Sequence, residues 1–319
     1  MRARGGLRTA VVVNPAKVDD LDARRSAVEQ ALADAGWSPP TWLETTVDEP
    51  GFAQARRAVS DGADVVFACG GDGTVVEVVR ALVGTDVALA VLPAGTGNLL
   101  AANLGLPDDP AAGVTVVTDM GRRRIDVGVV DDRCFVVMAG VGLDAEMVSD
   151  ASEELKARVG VVAYVLAAVR RLRDRPMLVT VHLDHDPPRR RRARTVVVAN
   201  VGRLQGGVRL LEAAEPDDGR LDVAIMTPRS LVDWARLAWG VLRRRDRVPR
   251  MEVLRARRIS IVSDRPQARQ LDGDVIAPGR RLDVAVRPAA LELCVPQPER
   301  SPDIAEGARR STVSRWIRE

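Results

Sequence analysis

Aromatic residues are scarce in this chain. Phe, Trp and Tyr make up 3% of its 319 residues, too few for the stacking platforms that grip single-stranded nucleic acid. Lysine is scarcer still, occurring only as Lys17 and Lys156, so arginine supplies nearly all of the 47 basic residues. With Ala and Val favoured over Ile, Asn and Phe, this usage reads as a GC-rich coding bias. The 44 acidic residues almost balance the basic ones, leaving a net charge of +3, which is no nucleic-acid signature, since that would need clustering on one face. Three cysteines, Cys69, Cys134 and Cys294, are too few and too widely spaced for a disulfide framework. His182 and His185 have no cysteine nearby to complete a zinc site, so the thiols read as reduced core residues of a cytosolic protein. The longest helix-like apolar stretch, Val159 to Val169, is too short to span a bilayer. No signal-peptide pattern precedes the first valine strand. The expectation is a soluble cytoplasmic protein.

What is present is apolar and ordered. Hydrophobic residues make up 46% of the chain, enough for two cores of ordinary domain size. The first part alternates strands and amphipathic helices: strand Thr9–Val13, helix Leu21–Ala35 stopped by Gly36, strand Trp42–Thr46, helix Phe52–Asp61, strand Asp64–Cys69, helix Val75–Val83 and strand Val87–Leu92. This alternation predicts a parallel sheet covered on both faces, with ligands beyond the carboxyl ends of its strands. From about Ile125 strand follows strand, interrupted by helices near 152–173 and 230–244, which predicts a mostly antiparallel second part. The expected domains are therefore 1–124, 125–296 and a loose polar tail at 297–319. Between two late strands lies Arg189–Arg194, sequence RRRRAR. Two readings of it stay open: a solvated hairpin loop, or an electrostatic contact with anionic lipid headgroups. The apolar face of helix 152–173 reads as core packing, with a membrane-lying helix as the alternative.

Two turns carry chemistry. Strand 64–69 runs directly into Gly70-Gly71-Asp72-Gly73-Thr74, and a helix follows. A strand–glycine turn–helix unit points free backbone N–H groups and a helix dipole at an anion, and its glycines let the backbone approach a phosphate closely. Asp72 is out of place there, since a carboxylate repels phosphate unless a cation bridges the two. The plainer reading makes Asp72-Gly73 turn chemistry and Thr74 a helix cap. A second unit, strand 87–92 followed by Pro93-Ala94-Gly95-Thr96-Gly97-Asn98, repeats the arrangement on the next strand. Neither turn is the lysine-bearing P-loop or the dinucleotide fingerprint, so phosphate charge would fall to backbone N–H groups, a metal ion and Lys17.

These turns, with Val13-Asn14-Pro15, Glu77, Leu104-Gly105-Leu106-Pro107 and Leu271-Asp272-Gly273-Asp274, resemble the diacylglycerol kinase catalytic family, the bacterial soluble lipid kinases related to sphingosine and ceramide kinases. The resemblance extends through Ile125-Asp126-Val127-Gly128, Ala139–Asp144, Asn200, Gly206-Gly207 and Pro216-Asp217-Asp218-Gly219 to about Pro296. It implies an α/β nucleotide-binding domain with a parallel sheet, a β-rich lipid-substrate domain, and an active site in the cleft between them. ATP would be held by Asn14, Lys17, one of Thr45 or Thr46, Gly70, Gly71, Asp72, Gly73, Thr74, Glu77, Gly95, Thr96, Gly97 and Asn98. Asp274 maps to the catalytic base, and Asp72 with Asp126 to a water-and-metal network near the transferred phosphate. A structural Mg²⁺ would be held by Asp217, Asp218 and Leu221.

The chain departs from the family pattern in three places: Ala16-Lys17 stand where a small residue and Gly are usual, Val76 replaces an Asn, and Asp274 replaces the commoner Glu. The expected activity is ATP- and Mg²⁺-dependent phosphorylation of a lipid hydroxyl, such as that of diacylglycerol, in phospholipid metabolism. The expected partners are a lipid at the membrane surface and a transient contact with the inner face of the membrane, with no nucleic acid; a homodimer stays open. An NAD kinase shares GGDGT but not PAGTGN or the late LDGD. A non-catalytic lipid-binding module is the remaining alternative.

Overall fold

The computed structural model describes residues 6–142, 175–202, 210–211, 214–243 and 248–296. Helix 152–173, Leu143-Asp144, Gly206-Gly207 and the tail at 297–319 lie outside the described residues. The chain divides into two compact units, one of residues 1–125 with 289–319, the other of residues 126–288. The boundary is thus crossed twice, because the end of the last strand returns to the first unit.

In the first unit, β1 (Thr9–Val13), β2 (Thr41–Glu44), β3 (Val65–Gly70) and β4 (Ala88–Pro93) form a parallel sheet in the order β2-β1-β3-β4. β1, β3 and β4 are buried along their whole length, as expected of strands covered on both faces. Around them lie α1 (Leu21–Asp34), α2 (Phe52–Ser60), α3 (Asp72–Leu82), α4 (Leu99–Leu104) and α5 (Pro110–Thr118). The Asp20 side chain accepts from the Ala23 N–H to start α1, and Asp109 does the same for α5 from Ala112. Gly36, at φ +75°, follows the last turn of α1, a backbone conformation that favours glycine. Val11, Val13, Leu32, Phe67, Leu92 and Val117 form the core.

Register places the chemistry. Val13 lies opposite both Glu44 and Cys69, Cys69 opposite Leu92, and Gly70 opposite Pro93. The turns after all four strands therefore open at one edge of the sheet.

The second unit follows β5 (Arg122–Val130), which carries the chain across. Its strands are β6 (Arg133–Phe135), β7 (Met138–Gly142), β8 (Met177–Leu183), β9 (Arg189–Ala193), β10 (Thr195–Ala199), β11 (Leu221–Met226), β12 (Met251–Ala256), β13 (Arg258–Leu271) and most of β14 (Asp274–Cys294). They run antiparallel in the order β12-β11-β10-β7-β13, with β8 and then β9 also reached from β13. Phe135, Val179, Val198, Ile225, Ile261 and Leu282 are among the residues that fill this core. One helix is described here, α6 (Leu231–Leu242), started by the Ser230 hydroxyl accepting from the Asp233 N–H. At its far end β14 leaves this unit: Leu293 pairs in parallel with Leu89, and the Val295 N–H donates to Gly121 O. The expected class, an α/β unit with a parallel sheet and an antiparallel β unit, is the one observed.

The arginine run is not a hairpin loop. Arg189–Ala193 is strand β9, with Arg189 and Arg191 turned to Glu252 at 3.4 and 2.7 Å. A run of identical side chains shows no apolar–polar alternation, so its strand character is invisible in the sequence. Arginines along a strand paired on one side only are a common device against edge-to-edge association.

Candidate active site

The two glycine turns meet at the sheet edge. A Cβ built on Gly95 would lie 2.6 Å from Gly71 Cα, so these backbones touch at a distance only glycine permits. The Ala94 N–H donates to Gly70 O at 3.0 Å. Asp72 completes the junction: its Oδ1 accepts from the Leu99 N–H at 2.6 Å, reaching from the first residue of α3 to the first residue of α4. The carboxylate is thus a strut between the turns. Asn98 folds the second turn on itself, accepting from Gly95 N–H at 3.1 Å and donating to Gly95 O at 2.7 Å. Asn98 sits at φ 45°, a left-handed conformation that asparagine tolerates. Thr96 is left exposed at the tip.

The glycines do different jobs. At Gly70 a Cβ would strike the Thr74 side chain at 2.6 Å. At Gly73 it would meet nothing within 4 Å, and neither Gly71 (φ −87°) nor Gly73 is among the residues with positive φ. The backbone therefore does not demand glycine at 73; the open space beside it is the feature a ligand could use.

Asn14 joins this edge from β1. Its Oδ1 accepts from the Ala16 N–H, its Nδ2 donates to Thr74 Oγ1 at 3.4 Å, and its own N–H donates to Cys69 O. Thr45 is buried at the end of β2, while the Thr46 hydroxyl is committed to a local turn, accepting from the Glu49 N–H. Lys17 is exposed after Asn14. Glu77, one turn into α3, accepts from Arg80 Nη1 at 2.7–2.8 Å, and that guanidinium lies over the Phe52 ring.

Arg24 escaped the sequence reading. From α1 its Nη1 donates to Pro93 O at 3.1 Å and reaches Cys69 Sγ at 3.8 Å, which fixes a positive charge beneath both turns. Burial pushes the Cys69 thiol up, and Arg24 partly offsets the rise. The signal was present: Arg24 shares a helical stripe with Leu21, Val28 and Leu32, where an arginine needs a buried partner.

In the second unit, Asp272 and Gly273 join β13 to β14, both at positive φ (47° and 93°), the signature of a two-residue type I′ hairpin. The carboxylate of Asp272, 5% exposed, accepts from the N–H groups of Val136, Val137 and Met138 at 2.7, 2.9 and 2.7 Å. Asp274, the first residue of β14, is exposed. Asp126 is 1% exposed and accepts from the Gly219 N–H at 2.6 Å, while its own N–H donates to Pro216 O. The Asn200 amide donates to Asp126 O and Val136 O. Asp126 and Asn200 thereby anchor the 216–219 turn.

On that turn Asp218 accepts from the Arg220 N–H, and Arg255 lies 3.8 Å from Asp218 and 3.0 Å from Asp222. Desolvation pushes both carboxyls up, with Arg255 pulling them back. No group of three or more His, Cys, Asp or Glu positioned for a metal ion is found among the described residues. A single guanidinium, Arg255, thus faces two carboxylates, and the Mg²⁺ expected at Asp217, Asp218 and Leu221 would share Asp218 with it.

The model of the diacylglycerol kinase catalytic domain matches residues 8–130, and that of the YegS C-terminal NAD kinase beta sandwich-like domain matches 136–295. The chain belongs to the diacylglycerol kinase catalytic-domain family. A Pseudomonas fluorescens protein named "Probable lipid kinase YegS-like" is 32% identical over 287 residues, covering 86% of this chain and 90% of that protein. A Bacillus subtilis protein named diacylglycerol kinase is 30% identical over 246 residues, covering 74% and 79%. Among solved structures, a diacylglycerol kinase from Bacillus anthracis superposes with a TM-score of 0.75 at 21% identity, covering 90% of this chain and 96% of that one. An NAD kinase from Archaeoglobus fulgidus in complex with ATP gives 0.53 at 13%, covering 94% and 98%. These two likenesses concern the fold. As a member of the family, the chain is a kinase.

Proposed function

We propose that this kinase transfers the γ-phosphoryl group of MgATP to the hydroxyl of a membrane lipid such as diacylglycerol. The observation that carries this reading is the interlocked pair of glycine turns with open space at Gly73. Backbone N–H groups of both turns, Asn14, Thr74 and the exposed Thr96 would bind the phosphates, with Arg24 beneath them and Lys17 nearby. Mg²⁺ enters as the counter-ion of the nucleotide and neutralises charge on its phosphates. Asp72 braces the cradle through Leu99.

Phosphoryl transfer needs positioning, charge stabilisation and a base for the acceptor proton. Asp274 is the proposed base. Its carboxylate takes the hydroxyl proton, the lipid oxygen bonds to the γ-phosphorus, and the bond to the β–γ bridging oxygen breaks to release ADP. Asp272 holds the hairpin that presents Asp274. Support for this assignment comes from the family's late D-G-E/D motif and from the exposure of Asp274 beside a buried, fully engaged Asp272.

Incubating the purified protein with γ-labelled ATP and either a total lipid extract or NAD tests the reading. Label in a chloroform-soluble phospholipid is expected. Label in NADP instead, or in neither acceptor, would overturn it.

A further inference from the structure

The outward face of α6 combines apolar and cationic side chains in a way the core does not require. Trp234, Leu237 and Val241 point inward and are buried. On the opposite side Val232, Arg236, Trp239 and Arg243 succeed one another at helical spacing, with Leu231 at the margin. Leu231, Val232 and Trp239 are 49%, 57% and 50% exposed, and the Arg243 guanidinium lies 4.4 Å over the Trp239 ring. Scattered exposed apolar residues mean little, but a tryptophan, aliphatics and arginines sharing one stripe define a surface.

The charge of this stripe selects its partner. Asp233 is the sole acidic residue of α6, and it is turned away: it accepts from the Arg229 N–H at 2.9 Å and pairs with Arg250 at 3.4 Å. The outward stripe therefore carries cations without a counter-charge of its own helix. A twelve-residue helix of about 18 Å with Trp and aliphatics between arginines matches the interface of an anionic bilayer, where the apolar face enters the headgroup boundary and the guanidiniums meet lipid phosphates. Strand β9 fits less well, because two of its four arginines are engaged by Glu252.

We infer that the Val232–Arg236–Trp239–Arg243 face of α6 docks this kinase on anionic membrane. The inference rests on the lipid-kinase reading for its purpose, and on the helix face alone for its location.

The test is flotation of the full chain with phosphatidylcholine vesicles, with and without phosphatidylglycerol, alongside quenching of tryptophan emission by brominated acyl chains. Trp239→Ser should weaken partition onto the phosphatidylglycerol vesicles about tenfold. Arg236→Ser with Arg243→Ser should weaken it roughly thirtyfold at low salt, more than Arg190→Ser with Arg192→Ser, which removes equal charge. Val47→Ser, an exposed apolar position of the first unit, should change nothing. Trp239→Phe should abolish most of the bromolipid quenching while leaving thermal unfolding unchanged. Partition insensitive to Trp239→Ser, or more sensitive to the β9 pair than to the α6 pair, would overturn the inference. So would a parent that sediments as a dimer, is split by Trp239→Ser and ignores vesicles, because the face would then belong to a second copy. A parent that phosphorylates lipid in detergent but docks independently of α6 removes this inference and leaves the kinase reading. One that docks through α6 and phosphorylates no lipid does the reverse.

Discussion

The two Asp-Gly turns of this molecule share a dipeptide and little else. At Asp72-Gly73 neither residue has positive φ, a helix begins at the aspartate, and the carboxylate reaches sideways to the N–H of Leu99. At Asp272-Gly273 both residues are left-handed, a hairpin closes, and the carboxylate is buried under three N–H groups of one segment. In each turn one aspartate is used to hold architecture. The difference lies in what each turn presents to solvent: an open backbone surface at Gly73 in the first, the exposed residue Asp274 in the second. A surface of N–H groups suits an anion to be bound, and an exposed carboxylate suits a proton to be taken. On the proposed function, binding falls to the first turn and chemistry to the second.

Substitutions can break or sharpen that contrast. The largest effect on stability is expected at Asp272→Ala, which strands three buried N–H groups and should cost about 3 kcal/mol or more, read as a fall in the urea midpoint. An unchanged midpoint would deny the hairpin its anchor. Gly95→Ala comes next. Its Cβ would be driven against Gly71 Cα, so the turns must part, at about 1–3 kcal/mol and with weaker ATP binding by calorimetry. Arg24→Met keeps the stem but leaves Pro93 O without its guanidinium, costing about 1 kcal/mol and lowering ATP affinity; unchanged affinity would confine Arg24 to a structural role. Gly73→Ala is the smallest and the most telling. Because nothing within 4 Å opposes the methyl group, the helix start should gain up to about 0.5 kcal/mol while ATP affinity falls. A variant both more stable and equally tight for ATP would show that the space at Gly73 is idle.

Much of the first unit was legible in the sequence because its strands are buried runs of Val, Ala and Leu, punctuated by Gly36, Gly62 and Gly70. Element ends moved by a few residues at most, except that α3 begins at Asp72 itself rather than at Val75. The second unit was legible as strand-rich, β9 excepted, but not in strand length: β14 runs unbroken from Asp274 to Cys294, where alternation fades because both faces are partly exposed. Its return to the first unit left no mark in the pattern. Which residues carry motifs was readable; what their side chains touch was not. Asp72 meets Leu99 across 27 residues and Asp272 meets Val136 across 136, and contacts at such separations follow from the packing of whole elements. Arg24 was missed as well, although its place on the Leu21–Val28–Leu32 stripe was a signal that it has a partner near the core.

The division between binding and chemistry meets its most direct test at Asp274→Asn, with steady-state turnover on a lipid acceptor and ATP affinity measured on the same preparation. The substitution keeps size and shape but removes the proton acceptor, so kcat should fall by about 10² or more while the dissociation constant for ATP and the unfolding midpoint stay at parental values. Turnover close to parental in Asp274→Asn would contradict the account, because the exposed carboxylate of the hairpin would then not be the base.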